Sequence, residues 1–221
     1  MSRVALIALV CVGAAGRAQS VLPPVALAQC RQPEYTEEAR LAHVSGTVIV
    51  SLTVTDSGMP TDIHVVTPVG FGLDENAVSC MRQSRYAPAQ KDGKPVPFKI
   101  DLPLAFEEHW ESDWHVSAAA FGTPAGASRP VLVKTRFPAP RGDRRNVAVC
   151  LHLTVGKDGV PRNIQVVAKQ DPALDRDAAS IVGDWRFKPG ARGQQAIDIP
   201  ATLTLVHGAM PRAVTASRRL P

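Results

Sequence analysis

The amino-acid sequence contains one pattern twice, and this repeat constrains the fold more than any other feature. Residues 46–89 align without a gap on residues 147–190, one hundred and one positions further along the chain. Turn residues, a Leu-Asp pair and an Arg-aromatic pair recur in the same order: Gly58, Leu73-Asp74 and Arg85-Tyr86 match Gly159, Leu174-Asp175 and Arg186-Phe187. Two tandem copies of one folding unit are the simplest explanation.

Alternating apolar residues predict three strands in the first copy. Residues 47–55 alternate apolar and polar side chains, and residues 62–66 return after a glycine turn, which is typical of a hairpin. Residues 96–106 alternate again. Because Pro97 and Pro103 have no N–H to donate to a ladder, we expect this third strand to lie at a sheet edge or to end in a bulge.

Helical spacing separates these strands. Residues 35–42 contain good helix formers with Thr36 as a plausible N-cap, and residues 73–85 place apolar side chains three or four positions apart. The second copy keeps a helix at 174–185 and a last strand at 199–206, but a proline-rich stretch replaces its first helix. Each copy is therefore predicted to be an α+β unit with three strands, of which the first two form an antiparallel pair, and a helix between the second strand and the third.

These patterns divide the chain into five segments. We expect a signal peptide (1–18), a first unit (19–107), a linker (108–129), a second, degenerate unit (130–208) and a disordered basic tail (209–221). The signal peptide is predicted from Arg3, an apolar run and small residues up to Ala18. That run has about a dozen residues against the roughly 20 of a membrane-spanning helix, so we expect cleavage near Ala18 and no stable membrane span.

The charge distribution argues against nucleic-acid binding. The formal net charge is +5, but five of the 25 basic residues lie in the signal peptide or the tail. Residues 19–210 contain 20 basic and 20 acidic residues, so the folded part is neutral and lacks a basic stripe for phosphates.

Cysteine usage predicts one disulfide in an oxidising compartment. One cysteine lies in the signal peptide, which leaves Cys30, Cys80 and Cys150. In the second copy, Leu132 stands at approximately the position of Cys30, and Ile181 stands at the position of Cys80. Both cysteines are thus replaced together by apolar residues, as expected if they are bonded to each other. We expect a Cys30–Cys80 bridge, and Cys150 as a buried thiol.

No pattern in the chain favours catalysis. Residues 107–115 are rich in His and carboxylates, but the spacing of His109 and His115 fits no standard zinc arrangement, and an exposed linker is the favoured interpretation. Trp110 and Trp114 would then cover the neighbouring unit. Since no nucleophile, base and oxyanion site can be assembled, we expect no enzyme, no metal and no cofactor.

An ordered set of motifs resembles the C-terminal domain of TonB. The set comprises Gln32-Pro33-Glu34-Tyr35, Gly46-Thr47-Val48-Ile49-Val50, Leu73-Asp74, Arg85-Tyr86-Ala87-Pro88 and Gly93-Lys94-Pro95-Val96. The resemblance covers residues 30–106 well and residues 131–206 in degenerate form. The resemblance implies that each unit is a periplasmic α+β domain, a three-stranded antiparallel sheet with a helix packed on one face. In that family the domain links an inner-membrane complex to outer-membrane receptors and holds a receptor segment as an added strand.

The resemblance implies a partner-binding region and a function. The residues that match the receptor-facing region are Gln32, Pro33, Glu34, Tyr35, Lys99 and Asp101. We expect a periplasmic protein-binding module that engages a peptide by strand addition, in outer-membrane receptor-linked transport.

Two alternatives stay open. One is a TonB-type energy transducer for siderophore or vitamin uptake, held in the inner membrane by an uncleaved N-terminus. TonB itself has a spanning helix and a long Pro-rich spacer, and neither is visible here. The other is a scaffold in which the two copies pair their sheets and bind nothing. If residues 96–106 were fully paired with the second copy, strand addition there would have no open donors or acceptors.

Overall fold

The computed structural model of the protein describes residues 21–28, 30, 33–108, 110, 112–140, 145–167 and 169–208. The predicted signal peptide and the predicted basic tail lie outside these residues. Within them the chain is mixed α+β, with mostly strands, and is built from two related units. None of the helices in this part of the chain is long and apolar enough to cross a membrane.

The first unit has eight strands and two helices. In chain order they are β1 (Val21–Leu22), β2 (Val25–Ala28), α1 (Glu37–Leu41), β3 (Gly46–Val54), β4 (Pro60–Thr67), α2 (Leu73–Gln83), β5 (Arg85–Ala87), β6 (Ala89–Lys91), β7 (Lys94–Val96) and β8 (Phe98–Phe106). The main sheet is antiparallel with the strand order β4-β3-β8, and α2 packs against β3 and β4. The predicted three strands and two helices are confirmed.

After the first unit come one further strand, β9, and then the elements of the second unit. In chain order the remaining elements are β9 (Trp114–Phe121), β10 (Val131–Lys134), β11 (Val147–Val155), β12 (Pro161–Val166), α3 (Pro172–Gly183), β13 (Arg186–Lys188), β14 (Ala191–Arg192), β15 (Gln195–Ala196) and β16 (Ile199–His207). The main sheet has the order β12-β11-β16-β9, so it contains four strands where three were expected. Residues 135–140 form no helix, in agreement with the predicted loss of the first helix.

Local sequence explains why these elements form. On β3, the side chains of Val48, Val50, Leu52 and Val54 are fully buried, whereas the intervening residues face the other side of the sheet. The hydroxyl of Thr36 accepts the N–H of Ala39, so the predicted N-cap of α1 is confirmed.

The sequence repeat is also a repeat in strand register. Strands β3 and β8 pair from Gly46↔Phe106 to Val54↔Phe98, and β11 and β16 pair from Val147↔His207 to Val155↔Ile199. Every pair in the second set lies one hundred and one positions after its counterpart in the first. The two units can therefore be compared residue by residue along these strands.

The prediction that residues 108–129 form a linker is wrong for β9. This strand pairs antiparallel with β16 and also contacts the first unit through its main chain. Val116 donates to the carbonyl of His43 at 3.3 Å and accepts the N–H of Ser45 at 2.9 Å, and Ala119 donates to Val69 at 2.8 Å. Its run of three alanines resembles a linker, but strand pairing depends more on packing than on propensity.

Several short strand pairs were not predicted, and two of them are equivalent in the two units. Strand β2 pairs with β5, and β10 pairs with β13 in the same way, so that Ala26 lies opposite Tyr86 as Leu132 lies opposite Phe187. The structural counterpart of Leu132 is therefore Ala26 and not Cys30, which corrects the alignment used to choose the disulfide. The Cys30–Cys80 disulfide itself is present, with a Cα–Cα distance of 5.4 Å.

The remaining cysteine, Cys150, is free and lies on β11. Its side chain is half-buried, where full burial was expected.

Candidate functional site

Strand β8 forms an open edge of the first unit. Among the described residues it pairs with β3 only, whereas its counterpart β16 pairs with β11 on one side and with β9 on the other. The edge position predicted from Pro97 and Pro103 is thus confirmed. The two units differ in whether this edge carries an additional strand.

Burial along the two strands reflects this difference. Phe98, Ile100 and Leu102 point toward the core side of the first sheet but are only partly buried. Their counterparts on β16 are almost completely buried: Ile199 (0%), Ala201 (4%) and Leu203 (0%) are the exposed fractions. The apolar face near the edge of β8 therefore remains accessible, whereas the equivalent face of β16 is covered.

The main-chain groups of Lys99 point away from β3. Thr53 lies opposite Lys99, and the carbonyl of Thr53 accepts the hydroxyl of Thr61 on β4, at 3.2 Å. Since this carbonyl faces β4, the Thr53–Lys99 pair is not hydrogen-bonded, and the N–H and C=O of Lys99 face outward. Main-chain direction alternates along a strand, so Asp101 also presents its N–H and C=O at the open edge.

The second unit supports this assignment. Pro200 is the counterpart of Lys99, and its carbonyl accepts the N–H of Gly122, immediately after β9, at 2.8 Å. The equivalent main-chain position is therefore used to hold β9 in the second unit. The outward N–H and C=O groups of β8 point in the same direction as those of β16, so they could bind an added strand in the same way.

The side chains of Lys99 and Asp101 are exposed, and neither makes an ion pair with any described residue. Pro103 follows two positions after Asp101 and offers a carbonyl but no N–H. The outward donors of this part of the edge are thus those of Lys99 and Asp101.

Tyr35 packs at the other end of β8. Its ring meets Phe106 edge-on at a centroid distance of 5.5 Å, and its hydroxyl donates to the carbonyl of Val44 at 3.2 Å. The guanidinium of Arg40 lies 5.9 Å from the ring centroid. Burial raises the pKa of the Tyr35 phenol, with a further contribution from the nearby carboxylate of Glu108. These contacts assign Tyr35 a packing role in the unit.

Pro33 and Glu34 lie beside the disulfide. Pro33 is buried and Glu34 is exposed, and the side chain of Asn76 on α2 donates to the carbonyl of Glu34 at 2.7 Å. A shallow groove of about 310 Å³ runs along Cys30, Pro33, Glu34, Asn76, Ser79, Cys80 and Gln83. The predicted site residue Gln32 lies outside the described residues.

The six predicted binding residues do not form one cluster. Asp101 is five residues from Phe106, which corresponds to roughly 17 Å along an extended strand. Lys99 and Asp101 belong to the middle of the open edge, whereas Tyr35 packs at its far end and Glu34 lies near α2.

An aromatic cluster between the two units was not predicted. The ring of His43 is stacked between Trp110, at 4.8 Å, and Phe137, at 4.2 Å. The indole of Trp114 on β9 is buried, with only 2% exposed. The expectation that Trp110 and Trp114 cover a neighbouring unit is confirmed. The expectation that they belong to an exposed linker is wrong, because Trp114 is buried on β9. These residues have no periodicity that would reveal the cluster.

Of the two histidines considered and rejected as metal ligands, the structure describes one. His115 lies within β9 and is 5% exposed, while His109 lies outside the described residues. Within the described part of the chain, no group of three or more His, Cys, Asp or Glu side chains is placed to hold a metal ion.

Comparison with known proteins identifies the family. The family model described as Gram-negative bacterial TonB protein C-terminal matches residues 31–107 and again residues 141–206, well over half of the chain. Strands β9 and β10 lie between the two matched segments. No curated protein and no solved structure matches the chain.

Each matched segment covers the repeated strands and the longest helix of one unit. The family consists of protein-interaction domains on the periplasmic side in Gram-negative bacteria. The chain therefore belongs to the TonB C-terminal domain family, with two tandem copies of the domain.

Proposed function

We propose that the protein is a periplasmic binding module that captures an extended segment of a partner protein by strand addition to the outer edge of β8. The partner is a segment of an outer-membrane receptor, and the function lies in receptor-linked transport. The family supports a role in protein interaction and not in catalysis. After cleavage near Ala18, the module would be free in the periplasm.

The observation that carries this proposal is the contrast between the two edges. The second unit holds β9 against β16, and the first unit leaves the equivalent edge of β8 without a strand among the described residues. The fold therefore already accommodates an added strand at this edge, since β9 pairs with β16 in the second unit. A partner segment on β8 would occupy the place that β9 occupies on β16.

The energetics favour an extended ligand with modest side-chain requirements. Each main-chain hydrogen bond contributes about 0.5–1.5 kcal/mol net, and the outward groups of Lys99 and Asp101 are available for such bonds. Covering the partly exposed side chains of Phe98, Ile100 and Leu102 adds about 25 cal/mol for each Å² of apolar surface removed from water. Main-chain bonds thus supply affinity, and side-chain contacts supply specificity.

The other predicted residues take a secondary part in this proposal. Gln32, Pro33 and Glu34 would contact the partner beyond the edge, next to the groove along the disulfide. Tyr35 would act through its packing on Phe106, because its hydroxyl and ring already have partners within the unit. A substitution at Tyr35 therefore tests whether packing on Phe106 keeps the β8 edge in a binding conformation. It does not test a contact between Tyr35 and the partner segment.

Peptide capture tests the proposal directly. The probe is a synthetic peptide of a receptor plug segment, and affinity is measured by isothermal titration calorimetry. Asp101→Pro removes an outward donor and should weaken binding by at least about tenfold, which equals about 1.4 kcal/mol. Asp101→Asn keeps the N–H and serves as the matched control, with near wild-type affinity expected.

Tyr35→Ala should also weaken capture, whereas Tyr35→Phe, which keeps the ring against Phe106, should bind more tightly than Tyr35→Ala. Unchanged capture by both Asp101→Pro and Tyr35→Ala would refute the site.

The scaffold alternative has less support, because β8 pairs with no strand of the second unit among the described residues. The energy-transducer alternative depends on the N-terminus. N-terminal sequencing after fractionation of the native envelope separates the two cases. A start near Gln19 in the periplasmic fraction supports the binding module, and an intact Met1 in the inner membrane supports the transducer.

A further inference from the structure

Strand β2 of the first unit has a close equivalent in the second. Strands β2 and β10 pair with β5 and β13 in the same register and with an irregularity at the same place, so residues 25–27 correspond to residues 131–133. A proline precedes each strand, Pro24 in the first unit and Pro130 in the second. The surroundings of the two strands can therefore be compared position by position.

In the second unit a helix covers this strand. Helix α1 packs against β10, and the carboxylate of Glu38 accepts the N–H of Leu132 at 3.1 Å. The guanidinium of Arg129 pairs with the same carboxylate. The side chain of Leu132 is only 2% exposed. The outer edge of β10 is thus satisfied by a helix that brings one carboxylate.

In the first unit the equivalent strand is bare. Within the described part of the chain β2 pairs with β5 alone, and each of its four residues is exposed. The exposed fractions are 62% for Val25 and 70% for Leu27. Residues 21–28 contain no charged or hydrogen-bonding side chain. An uncharged apolar edge of this kind is typical of an interaction surface.

The main-chain groups of Ala26 point away from β5. Tyr86 lies opposite Ala26, and its N–H donates to the carbonyl of Gly58 at 3.1 Å. Because this N–H faces away from β2, the pair is not hydrogen-bonded, and the N–H and C=O of Ala26 face outward as well. At the equivalent position of β10, the outward N–H of Leu132 binds Glu38. Ala26 therefore offers a donor at the place where the second unit binds a carboxylate.

We propose that the edge of β2 is a docking surface for a helix of a partner protein. This helix presents a carboxylate to the N–H of Ala26 and aliphatic side chains to Val25 and Leu27, as Glu38 and α1 do for β10. The surface lies on a different strand from the open edge of β8, so the inference does not depend on the proposed function.

The charges around β2 favour an acidic partner. Lys91 lies opposite the first residue of β1, and Arg85 lies opposite the last residue of β2. Both side chains are exposed, and neither makes an ion pair with a residue that the structure describes. Residues 21–28 and 85–96 contain three basic residues against one acidic residue, Asp92. Since Pro23 stands at the position of Arg129, these cations would attract the carboxylate instead of an equivalent arginine.

The helix has to come from another protein. Helix α1 is engaged on β10, and a second copy of the chain has the same contact. Helices α2 and α3 pack on the sheets of their own units. Residues 1–20 and 209–221 contain no Asp and no Glu, so neither segment can present a side-chain carboxylate.

A synthetic helix of the chemistry that covers β10 tests the surface. The probe is a peptide of residues 34–44 with a staple between positions 39 and 43, since short helices are marginal in water. These positions lie on the opposite side of the helix from Glu38 and Leu41. Titration into the ¹⁵N-labelled chain should shift the amide signals of residues 25–27, with a dissociation constant of about 1 mM or tighter.

A double-mutant cycle tests the carboxylate. A probe with Glu38→Gln keeps its shape and loses its charge, so it should bind wild type about fivefold more weakly. Ala26→Pro removes the N–H of the chain at an edge position that tolerates proline. Against Ala26→Pro the two probes should bind with nearly equal affinity. The same ratio between the probes for both chains would show that the carboxylate does not meet Ala26, which overturns the proposal.

A charged residue at the exposed apolar position tests the contact. Leu27→Asp places a like charge against the carboxylate and removes an aliphatic side chain, so binding should weaken by at least about tenfold. Val66→Asp is the matched control, because Val66 is 52% exposed on β4 and should leave binding unchanged. Circular dichroism checks that each variant is folded.

The remaining outcomes separate other occupants and the proposed function. Amide signals of residues 25–27 that do not move with the probe in large excess overturn the proposal. Signals that respond to vesicles of phosphatidylglycerol and not to the probe identify a lipid surface, which also overturns it. Asp101→Pro, on β8, should bind the probe like wild type. Probe binding without capture of the receptor peptide refutes only the proposed function, and the reverse refutes only this inference.

Discussion

The carboxylate of Glu38 and the guanidinium of Arg129 form a two-pronged salt bridge between the two units, with N–O distances of 2.8 Å and 2.9 Å. Glu38 lies on α1, and its carboxylate also accepts the N–H of Leu132 on β10 at 3.1 Å. Nearby, the hydroxyl of Thr135 donates to the carbonyl of Leu41 at 2.7 Å. The first helix of the first unit therefore packs against β10 and the residue that follows it.

Removing Glu38 should destabilise the protein. Its side chain is only 13% exposed, and Glu38→Ala leaves both the guanidinium of Arg129 and the N–H of Leu132 without this acceptor. The expected loss is about 1–3 kcal/mol of unfolding free energy, measured by urea denaturation. Glu37→Ala is the matched control, because Glu37 is the exposed neighbour on the same helix. Equal effects of the two substitutions would contradict a specific role for the bridge.

The repeat could be predicted from the sequence because its signal is local and occurs twice. Alternation in β3 and the spacing of α2 identify the elements, and the common offset implies a shared register. Strand β9 could not be found in this way. Its run of Ser117 and three alanines has little β-propensity, and it forms because β16 and the main chain of His43 and Val69 provide partners.

The candidate site was predictable in part. Pro97 and Pro103 indicate an edge strand from chemistry alone, since neither can donate to a ladder. That this edge is open depends on where β9 goes, which is a long-range contact. The role of Tyr35 was also beyond the sequence, because its partners Val44 and Phe106 are brought to it only by folding.

Gly58 is expected to tolerate no side chain. It adopts a φ of 80°, and a Cβ there would collide with the main-chain carbonyl oxygen of Tyr86, whose N–H donates to Gly58 at 3.1 Å. Gly93 has a similar φ of 77° but no atom within 4 Å of a Cβ. Gly93→Ala should therefore cost about 1–2 kcal/mol through backbone strain, and Gly58→Ala clearly more. Thermal unfolding measures both, and similar melting temperatures would contradict the close approach to Tyr86.

The Cys30–Cys80 disulfide should stabilise the first unit substantially. It joins residues 50 positions apart. In the chain-entropy model, closing a loop of this length contributes about 4 kcal/mol. The Cys30→Ala/Cys80→Ala double variant should lose about 2–5 kcal/mol of unfolding free energy, measured by urea denaturation. Cys150→Ala, which removes the free thiol, should change stability less. A double variant as stable as wild type would show that the bridge is dispensable.

The stability of the protein should fall as pH decreases below the ordinary histidine value of 6.5. Burial lowers the pKa of His43, partly offset by a hydrogen bond to the main chain of Trp114, and burial also lowers the pKa of His115, with a contribution from His43. The unfolded chain then binds more protons than the folded one between these lowered values and 6.5, so unfolding becomes easier as pH falls through that window.

Urea unfolding between pH 7.5 and about pH 5 measures this effect, above the range where most carboxylates titrate. His43→Phe keeps a ring between Trp110 and Phe137 but cannot be protonated, so its stability should depend less on pH than that of wild type. His64→Gln is the control, since the His64 side chain is exposed on β4 and should leave the wild-type dependence unchanged. If His43→Phe and wild type lose stability in parallel over this window, protonation of His43 is not what weakens the contact between the two units.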